Sequence, residues 1–116
     1  MSMIYHIAYA ADWIAAKEAG EYHQSTRGRT LEEQGFIHAG TASQVEPVAN
    51  WVYKDPEGDL VILVIDTDRV ISEIKYDPVP GFVDPLPHIY GPLNADAVVE
   101  VRPFEPDVDG KFSFTE

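Results

Sequence analysis

Leu60-Val61-Ile62-Leu63-Val64-Ile65 is an unbroken apolar run, largely β-branched, closed by Asp66 and preceded by the turn-forming Asp55-Pro56-Glu57-Gly58-Asp59. Successive side chains of a strand point to opposite faces, so a run without polar alternation fits a strand covered on both sides. It predicts a central strand, and a chain that must supply packing layers to two faces of a sheet. The run is far too short to span a bilayer.

The remaining elements supply those layers. Met3 to Tyr9 is apolar or aromatic on both strand faces apart from His6, and reads as a second buried strand. Asp12 can cap a short helix over Trp13 to Ala19, with Gly20 as its left-handed stop. Glu21 to Gly28 is polar and expected to be irregular. Thr30 and Glu33 have capping-box spacing, and Gly35 closes a helix of a turn or two. Phe36 to Ala39 follows as a short strand, with Phe36 and His38 on one face. Thr41 and Gln44 repeat the capping-box spacing before a helix whose apolar stripe is Val45, Val48, Ala49 and Val52. Pro47 predicts a kink in it, or a regular start only near that residue. Asp66 to Val70 reads as a tight turn or a single helical turn, Ser72 to Tyr76 as a strand, Pro78 to Pro87 as an extended irregular loop, and Ala97 to Val101 as the last strand. Trp13, Trp51, Tyr5, Tyr9 and Phe36 are expected in the core. Helices crowd the first half and strands the second. The expected fold class is therefore α+β, a mixed or antiparallel sheet with short helices mainly from the N-terminal half. One globular domain over residues 1–104 and an acidic, loosely ordered tail over 105–116 complete the expected organisation.

With 116 residues, 45% of them hydrophobic and 11% aromatic, the chain can build an ordinary core unaided. It holds no cysteine, which excludes disulfides, thiolate catalysis and cysteine-based zinc sites. Twenty acidic against eight basic residues give a formal charge of −12, which repels nucleic acid and anionic membrane surfaces. A cytoplasmic location is expected, since the N-terminal residues lack the basic and apolar blocks of a signal peptide. No apolar stripe demands a protein partner, so a monomer or weak dimer is expected.

Imidazole is costly to bury, yet His6, His38 and His88 are each embedded among apolar neighbours on separate segments. One such histidine is most simply a core residue satisfied by two hydrogen bonds; three together point to a shared small-molecule pocket. His38 precedes a helix start, where backbone N–H groups can hold an anion, and His88 lies in the proline-rich loop beside Tyr90 and Gly91. A three-histidine metal site is the rival reading. No HxxxH, HxH or HxxE pair supplies local ligand spacing for it, and no metal is expected. Arg27 and Arg29, in a glycine-containing loop, can meet a phosphate or carboxylate; solvated surface arginines are the plain alternative. Asp66 and Asp68 lack the glycine and distal glutamate of a calcium loop and read as turn residues.

Tyr5-His6-Ile7, Trp13, Gly20, Gly35-Phe36-Ile37-His38, Gln44, Ala49-Asn50, Leu63-Val64-Ile65-Asp66 and Pro87-His88-Ile89-Tyr90-Gly91-Pro92-Leu93 form an ordered set. From about Ile4 to Val101 the chain thereby resembles the domain of unknown function 952 family. That pattern is similar in turn to a compact ADP-ribosyltransferase-like fold, in which residues of the first, second and a late strand surround a nicotinamide dinucleotide. The resemblance implies roles for His6, His38, Thr41 and Asp77; joined with the residue reading, it leaves His6, His38, His88 and Asp77 as catalytic candidates and Thr41, Gln44, Tyr90 and Arg29 as ligand-binding ones. Two departures weaken it. Ala39-Gly40-Thr41 stands where the family commonly has Cys-Ser-Thr, and Asp77 stands where a glutamate is usual.

Two functions follow as expectations. In the first, an enzyme or degenerate enzyme binds or cleaves NAD or a related nucleotide. His6 and His38 with Thr41 hold the sugar or carboxamide, and Asp77 or His88 steadies the positive charge left at the sugar as nicotinamide departs. In the second, the same pocket is a non-catalytic module for a small polar or anionic metabolite.

Overall fold

The computed structural model describes residues 2–115. The chain runs β1 (Met3–Tyr9), α1 (Ala10–Ala19), β2 (Glu21–Tyr22), β3 (Gln24–Thr26), β4 (Arg29–Thr30), α2 (Leu31–Gln34), β5 (Ile37–His38) and α3 (Ala42–Val52). It continues through β6 (Leu60–Asp66), a 3-10 turn at Thr67–Arg69, β7 (Glu73–Asp77), β8 (Leu86–Tyr90), β9 (Leu93–Asn94), a second such turn at Ala95–Ala97, and β10 (Val98–Phe104). The fold is α+β, and the strand pairings are antiparallel.

The apolar run behaves as its pattern demands. β6 is the middle strand of β1-β6-β10, with Tyr5 opposite Val64 and His6 opposite Leu63. Leu63 and Ile65 join Ile4 and Ala8 beneath Trp13 and Ala16 of α1. Leu60, Ile62 and Val64 join Tyr5 and Ile7 beneath Val45, Ala49 and Tyr53 on the α3 side. A helix on each face explains why neither face of β6 carries a polar residue before Asp66.

A second sheet, β5-β8-β7, pairs His38 with His88 and Ile74 with Ile89. A backbone bridge links the two sheets where Tyr5 and Gly40 exchange N–H to carbonyl bonds of 2.8 Å in both directions. Away from that bridge β1 and β5 part.

Several expectations give way. α1 begins at Ala10, with extended Tyr9 before it and no side-chain cap; Asp12 lies inside the first turn, where a carboxylate favours the helix dipole. Glu21 to Gly28 is not irregular, because Tyr22 pairs with Leu93 and Gln24 with Thr30, partners that local sequence does not reveal. α3 runs uninterrupted through Pro47. His88 belongs to a strand rather than a loop: β8 begins at Leu86 and tolerates Pro87 near its start. Trp51 lies off the apolar stripe of α3 and is 66% exposed. The C-terminal segment is also anchored. Phe112 is 1% exposed and stacks on Phe104, while Asn50 binds both the N–H and the carbonyl of Phe112, at 2.8 and 3.0 Å. Among the described residues no helix is long and apolar enough to cross a membrane.

Candidate functional site

His6 points from β1 to the α1 side of the sheet and is fully engaged. Its Nδ1–H donates to the His38 carbonyl, which fixes the tautomer and leaves Nε2 to accept from the Tyr22 hydroxyl at 2.9 Å. Burial holds His6 down at about 4, against an opposing contribution from the His38 carbonyl, so the ring is neutral. Burial likewise pushes the Tyr22 phenol up, which keeps it a donor. With both nitrogens spent, His6 straps β1 to β5 and β2 and has no hydrogen bond left for a ligand.

His38 and His88 sit side by side on one face of the second sheet. Their centroids are 4.9 Å apart and their planes nearly perpendicular. Phe36 stacks on His88 at 4.3 Å and meets His38 edge-on at 4.8 Å. His88 Nδ1–H donates to Asp77 Oδ2 at 2.8 Å, and the same oxygen accepts from the Tyr90 hydroxyl at 2.5 Å. These two bonds, Tyr90 first, hold the Asp77 carboxyl below its ordinary range. His88 Nε2 is buried without a hydrogen-bond partner among the described residues. The half-exposed His38 ring is held at about 4 by burial and by neighbouring His88, and neither of its nitrogens is hydrogen-bonded to a described residue.

Where β1 and β5 part, a cleft of about 240 Å³ opens between α3, β3, β5 and the β7–β8 loop. Val45, Val48, Val52 and Tyr53 form one wall, and Val79, Phe82 and Leu86 another. His38 sits at its edge with Ser25 and Thr26, and Trp51 lines it from the exposed side. Among the described residues no Lys, Arg, Asp or Glu lines it. Tyr53, whose phenol is pushed up to about 12 mainly by burial, donates to the Ile7 carbonyl at 3.3 Å.

The predicted site residues therefore do not form one constellation. His6 and His38 border the cleft; His88, Asp77 and Tyr90 form a separate hydrogen-bonded group behind His38. Gln44 lines the cleft, but its amide is occupied: Oε1 accepts from Thr41 N–H at 2.9 Å, and Nε2 donates to the Asp84 and Pro85 carbonyls at 3.3 and 3.2 Å. Thr41 precedes α3, outside the cleft. Arg29 is exposed on β4 and does not line it either. Arg27 is committed to structure, donating to the Val52, Lys54 and Asp55 carbonyls and pairing with Glu57 at 2.5 Å. Sequence reasoning missed Trp51 as a lining residue, and Val79 and Phe82 with it. The available signal was a valine and a phenylalanine in a proline-rich turn that has no local need of apolar residues. Among the described residues no group of three or more histidines and carboxylates gathers as a metal cage.

A small α+β domain with a mostly apolar cleft at the parting of two antiparallel sheets is thus the class defined by fold and site. The chain belongs to the family described as "Protein of unknown function (DUF952)", whose model matches residues 7–101. It is similar in structure to protein CC0527 of Caulobacter crescentus. The crystal structure of CC0527 gives a TM-score of 0.83 at 27% identity, over 97% of this chain and 94% of that one. Its solution structure gives 0.74 at 28% identity, over 96% and 91%. No match to a curated protein is found.

Proposed function

We propose that the cleft binds a small molecule through an uncharged planar ring, stacked on Trp51 at the mouth and hydrogen-bonded to His38 at the edge. The observation that carries this reading is an indole 66% exposed that also lines a cavity whose other lining residues are mostly apolar. A ring laid on it recovers apolar burial and adds a stacking term of about 0.5–1.5 kcal/mol. A volume of about 240 Å³ suits a ring and its substituent rather than a whole dinucleotide. The nicotinamide end of NAD is the case favoured by the ADP-ribosyltransferase-like resemblance, with the rest of the nucleotide outside.

Binding without cleavage is the better-supported form. Asp77, the acid assigned to steady a departing nicotinamide, is tied to His88 and Tyr90 outside the cleft wall, and His6 has no free nitrogen. The absence of a cation from the wall counts against an anionic metabolite. Nicotinamide, NAD, ADP-ribose and a panel of uncharged aromatic compounds are titrated while tryptophan fluorescence is followed, with buried Trp13 as the constant background. A saturable change with nicotinamide or another ring compound, lost in Trp51→Ala and weakened in His38→Ala, is expected, with no nicotinamide released from NAD. A flat response across the panel overturns the reading.

A further inference from the structure

We infer that His38 and His88 form a two-imidazole site for a divalent ion of the Cu²⁺, Ni²⁺ or Zn²⁺ class, with Asp77 and Tyr90 as its hydrogen-bonded support. His38 also borders the cleft, but the ion needs no ring ligand there. His38 and His88 are direct cross-strand partners on β5 and β8, a position that brings two side chains of one sheet face together. Their centroid separation is 4.9 Å. An ion about 2.0–2.1 Å from one nitrogen of each ring lies about 3.2 Å from each centroid, and N–metal–N angles of about 90–110° then need centroids about 4.5–5.2 Å apart. The observed spacing falls inside that interval. The rings stand nearly perpendicular, so His38, the half-exposed one, turns about its Cβ–Cγ bond to present a nitrogen.

His88 is already arranged as a ligand. A metal-bound histidine characteristically donates its other N–H to a carboxylate, which fixes the tautomer and raises the basicity of the coordinating nitrogen. His88 makes that bond to Asp77 at 2.8 Å, and Tyr90 restrains the same carboxylate oxygen. Its Nε2, in a ring 3% exposed, has a lone pair with no partner. Nδ1 is held toward Asp77 on β7, and β5 with His38 lies on the other side of β8. Imidazole pairs select late first-row ions.

His23 must be removed first, because it is exposed, lies 3.2 Å from Glu21 and 3.5 Å from Glu32, and can take up metal by itself. The full chain carrying His23→Ala is titrated with CuCl₂, NiCl₂ and ZnCl₂ by calorimetry, and the imidazole nitrogens are followed by ¹⁵N NMR. The expected result is one ion per chain for at least one metal, with shifts confined to His88 Nε2 and one His38 nitrogen. Adding His38→Ala abolishes uptake, and adding Asp77→Asn weakens it about 10–100-fold at unchanged stoichiometry. If His38→Ala unfolds the chain, the ¹⁵N shifts decide. No saturable uptake on the His23→Ala background, uptake indifferent to His38→Ala, or unshifted His88 and His38 nitrogens overturns the proposal and leaves a dry pair of packed rings.

Discussion

His6→Leu separates a buried, neutral, structural histidine from a functional one. At neutral pH the substitution removes the donor to the His38 carbonyl and the acceptor of the Tyr22 hydroxyl. Each buried group left without a partner costs about 1–3 kcal/mol, so the variant is destabilised by about 2–6 kcal/mol. The pH dependence carries more information. His6 titrates at about 4 in the folded chain because of burial, against an ordinary value of 6.5. The unfolded chain therefore takes up this proton first, and the folded state loses stability as pH falls below about 6.5, down to about 4, where the loss levels off. One group shifted over that interval has cost about 2.5 kcal/mol by about pH 4.5, a loss of about 1.4 kcal/mol per pH unit along the slope. The leucine side chain of the variant cannot titrate, so the wild-type advantage shrinks on acidification while the carboxylates common to both chains cancel in the difference. Urea unfolding of both proteins from about pH 7.5 to about pH 4.5 reads that difference directly. A stability gap that stays constant or widens on acidification refutes the claim that His6 is held neutral.

Trp51→Ala is expected to change stability by less than about 0.5 kcal/mol, since the indole is largely exposed, and a larger loss of Tm would make Trp51 a packing residue instead. Phe112→Ala should cost about 3–5 kcal/mol in chemical denaturation, because the ring is buried against Phe104; a negligible cost would mean that the C-terminal segment is not docked in solution. Gly91→Ala is expected to cost about 1–3 kcal/mol: φ is 153°, and a Cβ would lie 2.5 Å from Ser72 Oγ, which itself donates to the Pro92 carbonyl at 2.7 Å. An unchanged unfolding midpoint for Gly91→Ala would show that Ser72 moves aside freely.

What could be read from the sequence was whatever is encoded within a few residues. The run Leu60 to Ile65 announced a strand buried on both faces, and Thr30 with Glu33 announced the cap of α2, because hydrophobic period and capping spacing are local properties. Pairings across the chain were not legible. Glu21 and Tyr22 are strand residues because Asn94 and Leu93 lie beside them, and Leu86 to Tyr90 is a strand between β5 and β7 despite the prolines around it. The site shows the same division. That His6, His38 and His88 are embedded in apolar surroundings was visible, but not which nitrogen of each is already used. That depends on Tyr22, on the His38 carbonyl and on Asp77, at separations of 16, 32 and 11 residues from the histidines they bind.

The three histidines illustrate why burial of a polar ring is a weak pointer to chemistry until its hydrogen bonds are traced. His6 is among the most buried, and its two satisfied nitrogens make it a strut. His88 is buried to the same extent but only half satisfied, so the desolvation cost of Nε2 is carried by the fold without a compensating bond. His38 is less buried and its ring makes no hydrogen bond to a described residue, yet it stands where the cleft, the Asp77–His88 pair and the Phe36 ring meet. Unmet hydrogen-bonding capacity therefore rises from His6 to His88 to His38, toward the opening between the sheets. A core that needed these rings only for packing would gain stability by replacing His88 with an apolar residue of similar volume, since that removes an unpaired buried acceptor. Imidazole at both 38 and 88, in register and with His38 at the edge of an apolar cleft, is what sets this part of the fold apart from the strut at His6.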